Sequence, residues 1–333
     1  MQLASRRGRV GPALSLSPAS APAIISFVTR TRKVLVISAV IAAGLIGYFN
    51  RPLAFLALLG LGRSPACGCA EAWRGFAGKH ARQEALYREF ATSVRLVQKD
   101  ERGYELYRTP RSPVWVPPGN HDMLLWLLTE MERKVYETEG YGVHKGDVVL
   151  DCGAHVGLFT REALAAGAKL VVAIEPAAEN LECLRRNLSD EIRAGRVVVV
   201  PKGVWDREDT LTLQISPAFS AGDTILPGAQ ASAGTYRVPV TRIDTLVAEL
   251  ALARVDFVKM NIEGAERQAL AGARETMARF RPRMAVSGIH HDDDYQAIPT
   301  LARKGWSGYR MRCGACFVDR DHLRILPEVM FFF

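Results

Sequence analysis

The first 33 residues contain no aspartate or glutamate. Arg6, Arg7, Arg9, Arg30, Arg32 and Lys33 therefore account for all but two units of the net charge of +8, and the rest of the 333-residue chain is nearly neutral. A near-neutral body lacks the basic face by which folded domains hold nucleic acid, so no nucleic-acid partner is expected. Charge is missing altogether from Val34 to Phe49, and no internal repeat appears. Cys313 and Cys316, in "CGAC", have no second Cys or His pair to complete a zinc site, so no structural metal is expected. Cys152 and Cys183 fall in predicted core, where a free thiol behaves as a small hydrophobe, and no disulfide framework is expected.

What is present is apolar residue in quantity: 48% hydrophobic against 23% charged, enough for a large core with an appendage. Residues 1–33, rich in Ser, Ala, Pro and Arg, read as a flexible basic tail. Two apolar runs, "VLVISAVIAAGLIGYF" and "LAFLALLGLG", separated by Asn50-Arg51-Pro52, read as a retained membrane anchor over 34–62, since a spanning helix needs about 20 apolar residues, with a cleaved signal peptide or a buried core helix as the alternatives. Residues 63–143 read as a lid or support. Helical spacing places Leu86, Phe90, Val94 and Val97 on one helix and Leu124, Leu128, Met131 and Val135 on another.

From 144 to 333 strands and helices alternate. Strands are predicted at 148–150, 170–174, 197–200, 257–260 and 284–287, and helices at 158–166, 178–188, 245–250, 266–280 and 295–303. Continuous β-branched runs between amphipathic helices predict an α/β fold, a parallel sheet covered on both faces. Segments 210–215 and 236–240 look like an inserted hairpin, and 309–312 with 329–332 would close the sheet, one strand antiparallel.

Ligands bind such sheets beyond the carboxyl ends of the strands. There the chain has "DCGAHVGLFT", with Asp151 closing a strand and Gly153 and Gly157 opening a turn into a helix. The third glycine of a dinucleotide fingerprint is lacking and an acid precedes the turn, which disfavours a pyrophosphate and an NAD-dependent oxidoreductase. A cationic, hydroxylated ligand such as S-adenosylmethionine fits better. Glu175 ends the next strand 24 residues later, near the offset at which an acid receives ribose hydroxyls. In "VDFVKMNIEGAE", Lys259, Asn261 and Glu263 end a buried strand, so they should face the cleft or a hydrogen-bond network. Helix capping is the competing role for Glu263. "SGIHHDDDY" offers His290 and His291 as a base or a metal pocket, although an acidic helix N-terminus also explains its aspartates.

Taken in order, "GDVVLDCGAHVGLFT", "VVAIEPAAENLECLRRNL", "TRIDTL", "VDFVKMNIEGAERQALAGA" and "MAVSGIHHDDD" resemble the FkbM family of S-adenosylmethionine-dependent methyltransferases over about residues 145–312. The resemblance implies a Rossmann-like, seven-stranded class I methyltransferase sheet over 144–333, its last strand antiparallel, beside the N-terminal helical support and the membrane anchor. It implies O-methylation, with Asp151, Gly153, His155 and Gly157 at the methionine end of the cofactor, Glu175 at the ribose and Val204 beside the adenine. His155 replaces the family's usual Asn, and Asn261 stands where Asp is frequent. The second change weakens any metal-assisted route, because Asn is a poor ligand for divalent cations.

The expected activity is methyl transfer to a hydroxyl of a glycan, lipid-linked saccharide or other small molecule. His290, His291 or Glu263 would act as base, with Asn261 beside them. The alternative is a membrane-anchored, catalytically silent scaffold that keeps the fold. Positive charge ahead of the anchor favours an external domain. Supply of the cofactor outweighs it, and the catalytic domain is expected on the cytoplasmic side of the membrane.

Overall fold

The computed structural model describes residues 51–78, 82–216, 219–226 and 234–333. The expected tail, and the expected anchor as far as Asn50, lie outside the described residues. The chain divides into two units, Met1–Ala54 and Phe55–Phe333. Of the first, only the opening turn of helix α1 (Arg51–Gly60) is described. No helix among the described residues is long and apolar enough to cross a membrane. The described part of the anchor expected at 34–62 gives it no support: within α1 Phe55 and Leu58 are buried in a small protein core.

In the second unit, α2 (Cys69–Gly78) and α3 (Gln83–Ser93) lead into an antiparallel meander of β1 (Arg95–Lys99), β2 (Glu105–Arg108) and β3 (Val114–Val116), then helix α4 (His121–Glu132). The alternating region follows: β4 (Val148–Cys152), α5 (Leu158–Ala165), β5 (Leu170–Ile174), α6 (Ala178–Asn187), α7 (Ser189–Arg193) and β6 (Val197–Val200). A small sheet interrupts it, made by β7 (Gly203–Val204), β8 (Asp209–Ile215) and β9 (Gly234–Thr241). Then come α8 (Ile243–Glu249), β10 (Phe257–Met260), α9 (Glu266–Ala271), α10 (Arg274–Phe280), β11 (Arg283–Ser287), α11 (Asp294–Gly305), β12 (Met311–Cys313), β13 (Cys316–Asp319), β14 (Arg324–Pro327) and β15 (Val329–Phe332).

The main sheet has seven strands in the order β12-β15-β11-β10-β4-β5-β6. Five consecutive strands, β11-β10-β4-β5-β6, pair in parallel, and β15 runs antiparallel to both β11 and β12. Side chains alternate across a strand, so the buried runs feed two cores. Val149, Val171, Phe257 and Ala285 join α3, α4, α5 and α6 on one face. Leu150, Val172, Val258 and Met284 join α8, α9, α10 and α11 on the other. The single helix expected over 266–280 is two helices meeting at Gly272-Ala273. A Cβ on Gly272 would stand 2.1 Å from the Trp205 carbonyl oxygen, so close packing against that carbonyl requires glycine.

The cysteines differ from expectation. Cys67 and Cys313 form a disulfide across a sequence separation of 246. The stretch after α1 docks on the C-terminal β13–β14 hairpin. Arg63 Nη2 donates to the His322 carbonyl at 2.7 Å, the Ile325 amide donates to the Arg63 carbonyl at 2.8 Å, and the Cys313 amide donates to Glu71 Oε1 at 2.9 Å. This contact between chain ends is invisible to a reading of local pattern, which is why the pairing was not anticipated.

Candidate active site

Parallel pairing aligns the carboxyl ends of β4, β5 and β10, and a cleft open at its mouth lies beyond them. Register places Lys259 of β10 directly beside Asp151 of β4. Both are buried, with Lys259 Nζ 3.1 Å from Asp151 Oδ1. Lys259 also donates to the Gly153 carbonyl at 2.7 Å, and Thr160 donates to Asp151 Oδ2 at 2.7 Å. Asp151, expected to meet the cofactor, thus spends its carboxylate on Lys259 and Thr160 beneath the turn and does not line the cleft.

The turn itself explains its residue types. Gly153 has φ +78°, and a Cβ there would stand 2.0 Å from the Asn261 carbonyl oxygen. His155 adopts φ +52°, a left-handed conformation in which Asn, Asp and His are the tolerated non-glycine residues. Its amide donates to Glu175 Oε2 at 2.9 Å and its Nε2 lies 2.8 Å from Ser220 Oγ. Burial, aided by the charge of Lys259, pulls its pKa down to about 3, so the imidazole is neutral. Gly157, at φ +90°, starts α5 against Leu188 and does not line the cleft.

Glu175, at the end of β5, is buried and held from three sides. Its Oε1 accepts from the Ala177 amide at 2.9 Å and from Asn180 Nδ2 at 3.3 Å, beside the His155 amide on Oε2. Burial raises its pKa against those bonds. Glu175 lines the cleft together with Gly153, His155, Val204, Asn261 and Glu263. Three buried polar atoms along this wall have no partner among the described residues: His155 Nδ1, Asn180 Oδ1 and Asn261 Oδ1.

The histidine pair sits behind this wall. His290 Nδ1 is 3.1 Å from Glu266 Oε1 and its Nε2 is 3.5 Å from Glu263 Oε1. Burial opposes a charge there, but the two carboxylates overcome it and raise the pKa to about 10. Such an imidazolium has no lone pair to offer at neutral pH. His291 Nε2 lies 3.1 Å from the Gly264 carbonyl oxygen. Neither ring lines the cleft. Asp294 accepts the His290 and His291 amides at 3.2 and 2.8 Å and pairs with Arg267, so it organises the loop. Asp292, Asp319 and His322 bring ligand atoms within 4.8 Å of one another, but Arg324 already pairs with both aspartates.

Sequence reasoning did not single out Glu130, Tyr136, Asn180 or Asp223, which also line the cleft. Asp223 Oδ1 accepts the Ser216 amide at 2.7 Å, and burial lifts its pKa to about 7. Glu130, on α4, is pushed up to about 8 by burial and by the nearby charge of Glu328, against Arg133 and Lys259. Glu130 lies in the segment read as a lid or support and Asp223 between the two strands of the inserted hairpin, where composition carries no mark of which side chain turns inward.

Residues 151–312, just under half of the chain, match the methyltransferase FkbM domain. The chain carries an FkbM methyltransferase domain. It is 28% identical over 187 residues to the 31-O-demethyl-FK506 methyltransferase FkbM of Streptomyces tacrolimicus, covering 48% of this chain and 72% of that protein. It is also 28% identical over 197 residues to the AMB antimetabolite synthetase AmbE of Pseudomonas aeruginosa, covering 48% of this chain but 9% of that much longer protein. A methyltransferase FkbM of Methylobacillus flagellatus, known from a crystal structure, aligns with a TM-score of 0.42 at 17% identity, covering 76% of this chain and 59% of that one. The FkbM domain begins at Asp151, so β1 to β3, α4 and most of β4 lie ahead of it.

Proposed function

We propose that this chain transfers the methyl group of S-adenosylmethionine to a hydroxyl of a small molecule, glycan or lipid-linked saccharide. The observation that carries the reading is Glu175, a buried carboxylate fixed by two backbone amides and Asn180 at the end of β5, facing the cleft of an FkbM domain. The unpartnered His155 Nδ1, Asn180 Oδ1 and Asn261 Oδ1 fit a ligand rich in polar groups, because buried polar atoms call for partners. Glu175 would receive the ribose hydroxyls. The Gly153 turn and Asn261 would face the methionine end, and Val204 would lie beside the adenine. When bound, the cofactor supplies an electrophilic methyl on a sulfonium. The chain's own part is alignment of the acceptor and removal of its proton. The Streptomyces relative is named as a 31-O-demethyl-FK506 methyltransferase, which supports an oxygen acceptor.

Calorimetry with S-adenosylmethionine tests the reading. The wild type should bind it, and Glu175→Ala, still folded, should bind at least tenfold more weakly. A wild type that does not bind the cofactor would leave the silent scaffold in its place.

A further inference from the structure

The cleft contains more acid than cofactor binding uses. Glu175 is committed to the β5 end, and Asp223 to the Ser216 amide. Glu263 stands near His290 Nε2. Glu130 differs: it lines the cleft from α4, ahead of the FkbM domain, and its carboxylate has no hydrogen-bond or ion-pair partner among the described residues. The charged and titratable groups facing it come from four places. Arg133, just past α4, is bound to Glu328 of the β14–β15 turn, with Nη2 2.5 Å from Oε2. Lys259 of β10 is bound to Asp151. Glu263 follows β10, and Tyr136, after α4, places its ring 5.5 Å from Lys259 Nζ.

The neighbouring cations are thus already paired, and a carboxyl group without a partner is left in the cleft.

Resting on the methyltransferase reading, we propose that Glu130 is the group that takes the proton of the acceptor hydroxyl. As the oxygen's electron pair forms the new O–C bond, the C–S pair stays on sulfur and the proton passes to Glu130. The positive charge of the sulfonium and the negative charge of the carboxylate disappear together. The histidines are weaker candidates: His290 is already protonated between Glu263 and Glu266, and burial leaves the His155 imidazole with little basicity. The raised pKa of Glu130, about 8, makes it a stronger base than an ordinary carboxylate, and also leaves it mostly protonated at pH 7 before a cation arrives. A sulfonium bound beside it favours the carboxylate, so cofactor binding should expel a proton from Glu130.

That proton can be counted without knowing the acceptor. Binding heats for S-adenosylmethionine, measured at pH 7.5 in two buffers of different ionisation enthalpy, give the protons released. The expected result is that the wild type releases roughly half a proton more than Glu130→Gln, and that S-adenosylhomocysteine, whose sulfur is neutral, shows a smaller difference. Glu130→Asp should restore part of the release, while both variants bind the cofactor within about threefold of wild type. Equal release in wild type and Glu130→Gln, both binding, overturns the proposal. So does loss of the release in Glu263→Gln or Asp223→Asn while Glu130→Gln keeps it. Failure of the wild type to bind at all overturns the methyltransferase reading itself, and this inference with it.

Discussion

His290 stands between Glu263 and Glu266, and that setting turns an ordinary candidate base into a held cation. Its folded pKa, about 10, lies above the value near 6.5 expected for the unfolded chain. Its contribution to stability is therefore complete below pH 6.5 and is lost as pH rises through about 10. Chemical denaturation of His290→Ala should show a loss of about 2 kcal/mol near pH 6.5 that shrinks toward zero by pH 10 to 11. A loss independent of pH would mean that packing, not charge, holds the ring. The doublet His290-His291 was visible in the sequence as a chemically capable pair. The carboxylates that engage its first member come from a different loop and helix, so its actual state was not. His155 shows the converse. Its identity departs from the Asn that the family resemblance led one to expect, yet the backbone requirement, a left-handed residue, suits both.

At the scale of elements, the turn between β4 and α5 and the loop after β10 are built against each other. Gly153 leaves room for the Asn261 carbonyl, and Asn261 in turn donates its amide to the Cys152 carbonyl at 3.2 Å. Gly153→Ala would put a Cβ into that carbonyl at a positive φ. It should lower stability by about 2 kcal/mol or more and cut cofactor affinity at least tenfold. Urea unfolding together with cofactor titration checks both, and an alanine variant with wild-type behaviour in each would show that the loop yields. The sequence pattern located these elements well because β-branched runs and helical periodicity are local properties. It placed the end of β4 two residues early, and it missed the break at Gly272, where the cause is a carbonyl of Trp205 far back in the chain.

On the scale of the whole molecule, the Cys67–Cys313 bond ties the segment after α1 to the strand pair that closes the sheet. It closes a loop of nearly 250 residues, so it restrains the unfolded chain strongly. Cys67→Ser, or reduction of the wild type, should cost about 2–4 kcal/mol, read as a lowered denaturant midpoint with an unchanged secondary-structure spectrum. Identical midpoints with and without reductant would show that the bridge adds nothing. Such a bond persists in oxidising compartments, whereas the cytoplasmic placement expected from cofactor supply would keep both thiols reduced. Thiol labelling in intact cells reads which setting the domain occupies.

The sequence by itself determined the α/β class, the order of the alternating elements and the strand ends where Gly153, Glu175, Asn261 and Glu263 lie. Each follows from spacing along the chain or from residue types that a buried strand tolerates only for a reason. Only the tertiary structure decided which polar groups were left for a ligand. Register between β4 and β10 gave Asp151 to Lys259 and took it out of the cleft. Packing behind the loop after β10 gave His290 to Glu263 and Glu266. The fold of residues ahead of the FkbM domain brought Glu130 in. The physical reason is the same in each case: whether a polar side chain is spent or available depends on partners more than a hundred residues distant, or on another loop, and no local pattern carries that information.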